Sequence, residues 1–303
     1  MTAALTESVH ESERRAGFIA AASAYVMWGF LPLYLKLMTF ADVREVLAQR
    51  ILWAIPAALV ALVAMSGVRK GLREVAGALR PRMLGALALS AGFIFMNWGM
   101  YVYLVLNARV IESSLAYFLS PLVSVAIGVT LFQERINAPQ IWALLLALAG
   151  VIVQGFALGA PPWMALALCA TWQAYAYVRK QAVVPAAVGL LVECLAMAPF
   201  ALFMLHLAAQ DAPLTFGSGG WRTMLLALAG PVTAIPLIAF TFGARRVSFT
   251  TLGLLQFVAP TLQFCTGLAF GESFTPLRAL SFALIWAGLM LFAWDSLRRA
   301  RIA

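Results

Sequence analysis

The sequence predicts an all-α integral membrane protein of about ten transmembrane helices, arranged as two inverted five-helix repeats. Three observations predict it: an apolar composition, a series of apolar runs of spanning length, and a pattern that occurs once in each half of the chain. Hydrophobic residues fill 63% of the 303 positions and charged residues 11%, and the mean hydropathy is +0.92. A soluble globular chain is about half apolar and about a quarter charged, so this one lacks the polar surface to cover a water-soluble fold.

The net charge of +9 would suit a nucleic acid in a soluble protein. Here the basic residues gather in short connections between apolar spans, as positive-inside topology requires, and nucleic-acid binding is set aside. Cys169, Cys194 and Cys265 lie within apolar runs at unrelated spacings, giving neither a metal-ligand pattern nor a disulfide framework. No metal and no cofactor is implied.

A helix needs about 20 apolar residues to cross a hydrocarbon core of ~30 Å. Such runs begin near Gly17, Val43, Arg82, Val110, Ala138, Pro161, Ala186, Trp221, Ser248 and Thr275. Residues 1–16 are polar and read as a tail. The apolar stretch after them is too long for a signal-peptide core and is followed by more spans, so it is a retained first helix. Arg14, Arg15, Arg69, Lys70, Arg73, Arg80, Arg82, Arg135, Arg179, Lys180, Arg245, Arg246, Arg298, Arg299 and Arg301 fall on one side of this alternation. Only Arg44, Arg109, Arg222 and Arg278 fall on the other, which places both termini in the cytoplasm.

The repeat is carried by SSLAYFLSPLVSVAIGVTLFQE at 113–134 and TTLGLLQFVAPTLQFCTGLAFGE at 250–272. Pro121 and Pro260 align, each followed seven residues later by Gly128 or Gly267. Glu134 and Glu272 come next, each sixteen residues before Gly150 or Gly288. Trp28 to Lys36 and Trp172 to Lys180 both span eight positions. The repeats are 17–158 and 159–297, with a basic tail at 298–303. Each holds about five helices, an odd number, so the second enters the membrane from the opposite face. Inverted repeats are a transporter architecture with the site near the midplane.

The closing Pro-x(11–12)-Glu pattern resembles the EamA repeat of the drug/metabolite transporter superfamily. YVMWGFLPLYLK at 25–36, QR at 49–50, NW at 97–98, ESSLAYFLSPLV at 112–123, YVRK at 177–180 and TTLGLLQFVAPTL at 250–262 resemble its RarD branch. The resemblance covers nearly the whole chain beyond residue 16. It implies ten helices in the bacterial inner membrane and movement of small metabolites, with relatives that export amino acids.

Pro121 and Pro260 fall near mid-span, where each leaves a carbonyl without its helical donor, those of Tyr117 and Gln256. Free carbonyls at that depth are tolerated where protein or a water-filled cavity satisfies them. Both prolines are therefore expected to break their helices around a substrate cavity that receives Tyr117 and Gln256; the alternative is a packing kink. Trp28 and Trp172, also near mid-span, either stack against substrate or pack helix on helix. Asn97 and Trp98 sit mid-way along the third span, where an unpaired amide is costly, so Asn97 grips substrate or bonds a neighbouring helix. Its repeat partner is Ala234, and that asymmetry suits a ligand with distinct ends. Tyr101 and Tyr175 are assigned to the same cavity.

Arg50 and Glu193 each precede a proline, Pro56 or Pro199, by six residues, and so are repeat equivalents of opposite sign. Arg50 lies roughly 10 Å along its helix and is expected to bind an anionic group such as a carboxylate, with snorkelling as the alternative. Glu193 is too short to snorkel and is the proton-coupling candidate. Inverted geometry sets the two at different depths, so no direct salt bridge between them is expected. Glu134 and Glu272 are expected to cap and space the following helices, and Lys36 to snorkel. AAASA at 20–24, GALALSAG at 85–92 and LALAG at 146–150 and 226–230 permit close helix approach.

These readings favour a secondary transporter, an exporter of small polar or amphipathic metabolites working by alternating access. Its partners are that substrate and the lipid bilayer, and a homodimer is allowed for. An intramembrane enzyme would need a nucleophile and base or metal ligands at depth. The chain has only two histidines, His10 and His206, and no GxxxxGK[ST] motif. A non-transporting scaffold or regulator is disfavoured because the soluble parts are short.

Overall fold

The computed structural model describes residues 2–107, 110–158, 163–269 and 275–300. Arg109, Glu272 and Arg301 lie outside them. The described residues form eleven helical segments and no strand: α1 (Thr2–Lys36), α2 (Val43–Ala78), α3 (Pro81–Leu106), α4 (Val110–Leu131), α5 (Ala138–Leu158), α6 (Trp163–Gln181), α7 (Ala186–Asp211), α8 (Gly220–Ala244), α9 (Phe249–Leu255), α10 (Val258–Ala269) and α11 (Pro276–Ala300). Together α9 and α10 occupy the predicted ninth span, which gives the ten crossings. Among the described residues α1, α2, α3, α7 and α8 are each long and apolar enough to cross a membrane, and α4, α5 and α11 carry shorter apolar stretches.

Local chemistry sets the ends. The Asp42 side chain accepts from the Arg44 amide and caps α2, and Pro81 opens α3 where its missing N–H costs nothing. Gly67 takes φ 70°, ψ 164°, a conformation that glycine adopts without a Cβ clash, and so separates the spanning part of α2 from a basic helical extension. Arg69, Lys70 and Arg73, expected in a loop, lie on that extension. The polar stretch before Gly17 likewise continues α1 as helix back to Thr2.

The packing repeats under exchange of the halves. The first-half helices α1 to α5 correspond to α6, α7, α8, α9–α10 and α11. α1 packs on α8 as α6 packs on α3; α1 packs on α10 as α6 packs on α4; α2 packs on α8 as α7 packs on α3. The pairs α2–α7, α4–α9 and α5–α11 join corresponding elements directly. The α5–α11 crossing shows the symmetry at atomic level. A Cβ on Gly150 would stand 2.7 Å from the Ser281 carbonyl oxygen, and one on Gly288 would stand 2.6 Å from that of Ala143. The two repeat-matched glycines thus admit each other's helix. Gly230, which closes the second LALAG, lies against the backbone of Trp53 and Ala54 in the same way.

Large apolar side chains such as Val60, Phe200, Leu202 and Phe203 point outward. Inside, the described buried residues mix alanines and aromatics with polar groups, among them Arg50, Asn97, Gln173, Arg179, Glu193, Thr241 and Gln256. That inversion suits a chain whose solvent is lipid.

Candidate functional site

The two prolines behave differently. The helix is interrupted at Gln256 and Phe257, between α9 and α10, and Pro260 stands in the first turn of α10. The break expected at Pro121 is absent: α4 runs helical from Val110 to Leu131. A single missing N–H removes one bond of the ladder, and the bonds on either side can carry the helix through. In α9–α10 the break coincides with the residue whose carbonyl Pro260 releases.

At that break the Gln256 side chain enters a buried polar knot. Its Nε2 donates to Ser124 Oγ at 2.9 Å. Ser124 Oγ donates to Gln173 Oε1 at 2.8 Å, and Gln173 Nε2 donates to the Ser120 carbonyl at 2.6 Å. The knot ties α4, α6 and the α9–α10 break, and further along α10 the Gln263 amide donates to the Trp28 carbonyl of α1.

Beside it lies an aromatic cluster. Trp28 and Trp172 meet edge to face with centroids 5.1 Å apart. Tyr25 packs on Trp28, Tyr175 on Trp172, and Phe240 on both indoles. The two tryptophans are only half-buried although buried rings surround them. The hydroxyls of Tyr25 and Tyr175 are enclosed without a hydrogen bond of proper geometry, although Gln256 and Thr241 stand close to them.

A third group surrounds Arg50, which is 3% exposed. Its Nε donates to Thr233 Oγ1 on α8 at 3.0 Å, and its guanidinium carbon lies 5.1 Å from the centre of the Trp98 ring. Tyr34, Tyr101 and Tyr117 are its electrostatic neighbours. Tyr101 and Tyr117 meet edge to face at 5.8 Å. The Tyr101 hydroxyl lies outside hydrogen-bond geometry, and Arg50 Nη1 has no partner.

Asn97 is committed elsewhere. Its Nδ2 donates to the Leu168 carbonyl at 2.8 Å and to Thr171 Oγ1 at 3.2 Å, which ties α3 to α6. Glu193, 0% exposed, stands 3.5 Å from Arg179 Nε and 2.5 Å from Ser90 Oγ. Arg50 and Glu193 have separate partners, Thr233 for the one and Ser90 and Arg179 for the other.

The profile of the EamA-like transporter family matches residues 15–155. "Protein RarD" of Streptomyces exfoliatus is 39% identical over 296 residues, covering 96% of this chain and 92% of that one. "Uncharacterized transporter YojE" of Bacillus subtilis is 34% identical over 295 residues, covering 97% and 98%. The chain belongs to the RarD branch of the EamA-like transporter family. A solved structure titled "Crystal structure of protein" shares its fold, with TM-score 0.70 and 22% identity over 94% of this chain and 98% of that one. The RarD-type chain is thus a multi-pass bacterial membrane transporter and not an enzyme.

Several inward-facing groups of this RarD-type transporter were not legible in its sequence. The charge pattern groups Arg179 with Lys180 among the loop cations, yet it is 1% exposed in the last turn of α6, against Gly189 of α7. Its neighbour Lys180 donates to the Ala244 and Val247 carbonyls at the end of α8. Gln173, Ser124, Ser90 and Thr233 raised no signal beyond being polar within apolar runs. That signal was available for Gln173, the lone amide between Trp172 and Ala174. Glu134 caps a helix, but one in the other repeat: its Oε1 accepts from the Phe249 amide at the start of α9, at 2.8 Å.

Proposed function

We propose that this transporter is a secondary exporter of small amphipathic metabolites bearing a carboxylate, amino acids among them. It works by alternating access across the bacterial inner membrane, with both termini in the cytoplasm. One observation carries the reading: Arg50 is buried with Nη1 unpartnered, beside three tyrosines and over an indole. A cation at that depth is expensive unless something pairs with it, and a substrate carboxylate supplies two acceptor oxygens in the plane that a guanidinium fits.

In this reading Trp28, Trp98, Tyr101, Tyr117, Trp172 and Tyr175 wall the space for the apolar body of the substrate. That the Trp28 and Trp172 indoles are not fully buried supports an opening there. Gln256, at the α9–α10 break, gives a polar lining on the second half, where transporters place discontinuous helices. Asn97 has a helix-bridging role, because its amide donors are engaged on α6.

Reconstitution tests it. Proteoliposomes loaded singly with labelled neutral and aromatic amino acids, with and without a proton gradient, should show flux above protein-free vesicles. Arg50→Met should abolish that flux while the protein remains folded. Silence from folded wild-type protein across carboxylate substrates, or undiminished flux in Arg50→Met, overturns the proposal.

A further inference from the structure

The repeat equivalent of Arg50 has a different environment. Arg50 and Glu193 are each the eighth residue of their helix, α2 and α7, and each bonds a hydroxyl on the facing helix: Thr233 on α8 and Ser90 on α3. Arg50 has no carboxylate partner. Glu193 has a cation, and holds it loosely. Arg179 Nε is 3.5 Å from Glu193 Oε1, well beyond the roughly 2.7–2.9 Å of a charge-assisted hydrogen bond. Nε and Nη1 of Arg179 and Oε2 of Glu193 have no hydrogen-bond partner, and the guanidinium's one bond is a long one, from Nη2 to the Ala186 carbonyl at 3.4 Å.

The Ser90 hydroxyl has a single hydrogen and two oxygens within reach, the Leu87 carbonyl at 3.0 Å and Glu193 Oε1 at 2.5 Å. Two proton arrangements satisfy these contacts. In one, Ser90 donates to an ionised Glu193, and Arg179 neutralises it. In the other, Ser90 donates to Leu87 and a proton on the Glu193 carboxyl fills the short contact, which leaves Arg179 without its partner. An ionised carboxylate in the first arrangement is under-supplied with donors, since Oε2 receives none.

We infer that Glu193 is a proton-binding site in which the proton and the Arg179 guanidinium compete for one carboxyl, with Ser90 serving as donor to the charged form and acceptor for the neutral one. Arg179 lies in the last turn of α6, packed over Gly189 on α7, where a Cβ would collide with the guanidinium. Protonation therefore releases the end of α6 from the first turns of α7. Other groups near Glu193 are Tyr175 on α6 and Cys194 on α7. Arg245, which follows α8, donates to the Val184 carbonyl and is an electrostatic neighbour of Arg179. From α3 the carboxyl receives Ser90, and Arg179 is the one charged group acting on it. The α2 cation, Arg50, is engaged with Thr233. The link to movement of substrate rests on the transport reading above; the proton site does not.

Infrared spectroscopy of the full-length protein in lipid vesicles, titrated with pH, reads the site directly. Wild type should show a protonated-carboxyl C=O band that is missing in Glu193→Gln, and the band should grow at the expense of the carboxylate band in Arg179→Met. Ser90→Ala should move its frequency, because the acceptor of the carboxyl proton is gone; this variant serves where the other two do not fold. A spectrum unchanged by Glu193→Gln, or a band insensitive to both Arg179→Met and Ser90→Ala, overturns the inference. In proteoliposomes Glu193→Gln should retain substrate exchange and lose its response to a proton gradient; a retained response overturns the link between this site and transport. Absence of flux in wild type would defeat the transport reading alone, since the infrared titration decides the proton site without it.

Discussion

The indole of Trp28 meets that of Trp172 edge to face, 5.1 Å between centroids, although the two residues are 144 positions apart and correspond across the repeat. Corresponding residues that touch must lie beside the axis relating the halves. The pair therefore lies beside that axis, at the interface of the repeats, where inverted-repeat transporters place their sites. Trp28→Ala and Trp172→Ala should each destabilise the protein. Because they share one contact, the double variant should lose less than the sum, by about 0.5–1.5 kcal/mol. Thermal unfolding of the four proteins in detergent checks this; strict additivity would mean the rings do not interact.

Arg50 should not tolerate a conservative exchange. Lysine keeps the charge and loses the planar donor fork. Binding of a carboxylate substrate should fall at least tenfold in Arg50→Lys, about 1.4 kcal/mol, and further in Arg50→Met. The methyl ester of the same compound, with no carboxylate, should bind wild type and Arg50→Met with similar affinity. Competition binding with the acid and ester pair measures it.

Gln256 holds the helix break in place through Ser124. Gln256→Leu would strip the buried Ser124 and Gln173 side chains of a shared partner. It should cost about 1–3 kcal/mol, the penalty of unsatisfied buried polar groups. A melting temperature equal to wild type would show that the knot closes without Gln256.

Two glycines of α5 give an internal control. A Cβ at Gly150 meets Ser281 and Ile285 of α11, whereas one at Gly155 meets nothing within 4 Å. Gly150→Ala should destabilise by about 1–3 kcal/mol through overpacking. Gly155→Ala should be neutral or stabilise by up to ~1 kcal/mol through helix propensity.

One pH effect follows from the face where α2 begins. Arg44 hydrogen-bonds Asp42 at 2.8 Å and reaches Asp211 at the end of α7 at 2.7 Å. The Arg44 side-chain bond holds the Asp42 carboxyl below its ordinary range. A depressed folded value means the stabilisation is fully present above the unfolded carboxylate's value, and it is lost as pH falls through the folded one. The site is exposed, so the effect is small. Asp42→Asn should flatten the acid side of the stability profile and leave stability near neutrality little changed.

Composition and the repeat spelled out the membrane class, the ten spans and the pairing of the halves, because lipid imposes one length and one hydropathy on every crossing. Gly150 and Gly288 were readable as corresponding positions, and they fill corresponding roles, since a close helix crossing demands a missing side chain on both sides. The mid-span tryptophans were readable too, though not that they touch. Only the tertiary structure decided which matched proline opens its helix, for a proline removes one ladder bond in either span and its sequence position does not say whether the helix carries through. It also decided that Asn97 spends its donors on α6, that Arg179 leaves the loop cations to face Glu193, and that Gln173 and Ser124 join Gln256. Those outcomes depend on how far each helix is rotated about its axis and which neighbour it meets at that depth. Hydropathy along one chain does not encode that rotation, whereas the packing of ten helices against one another fixes it.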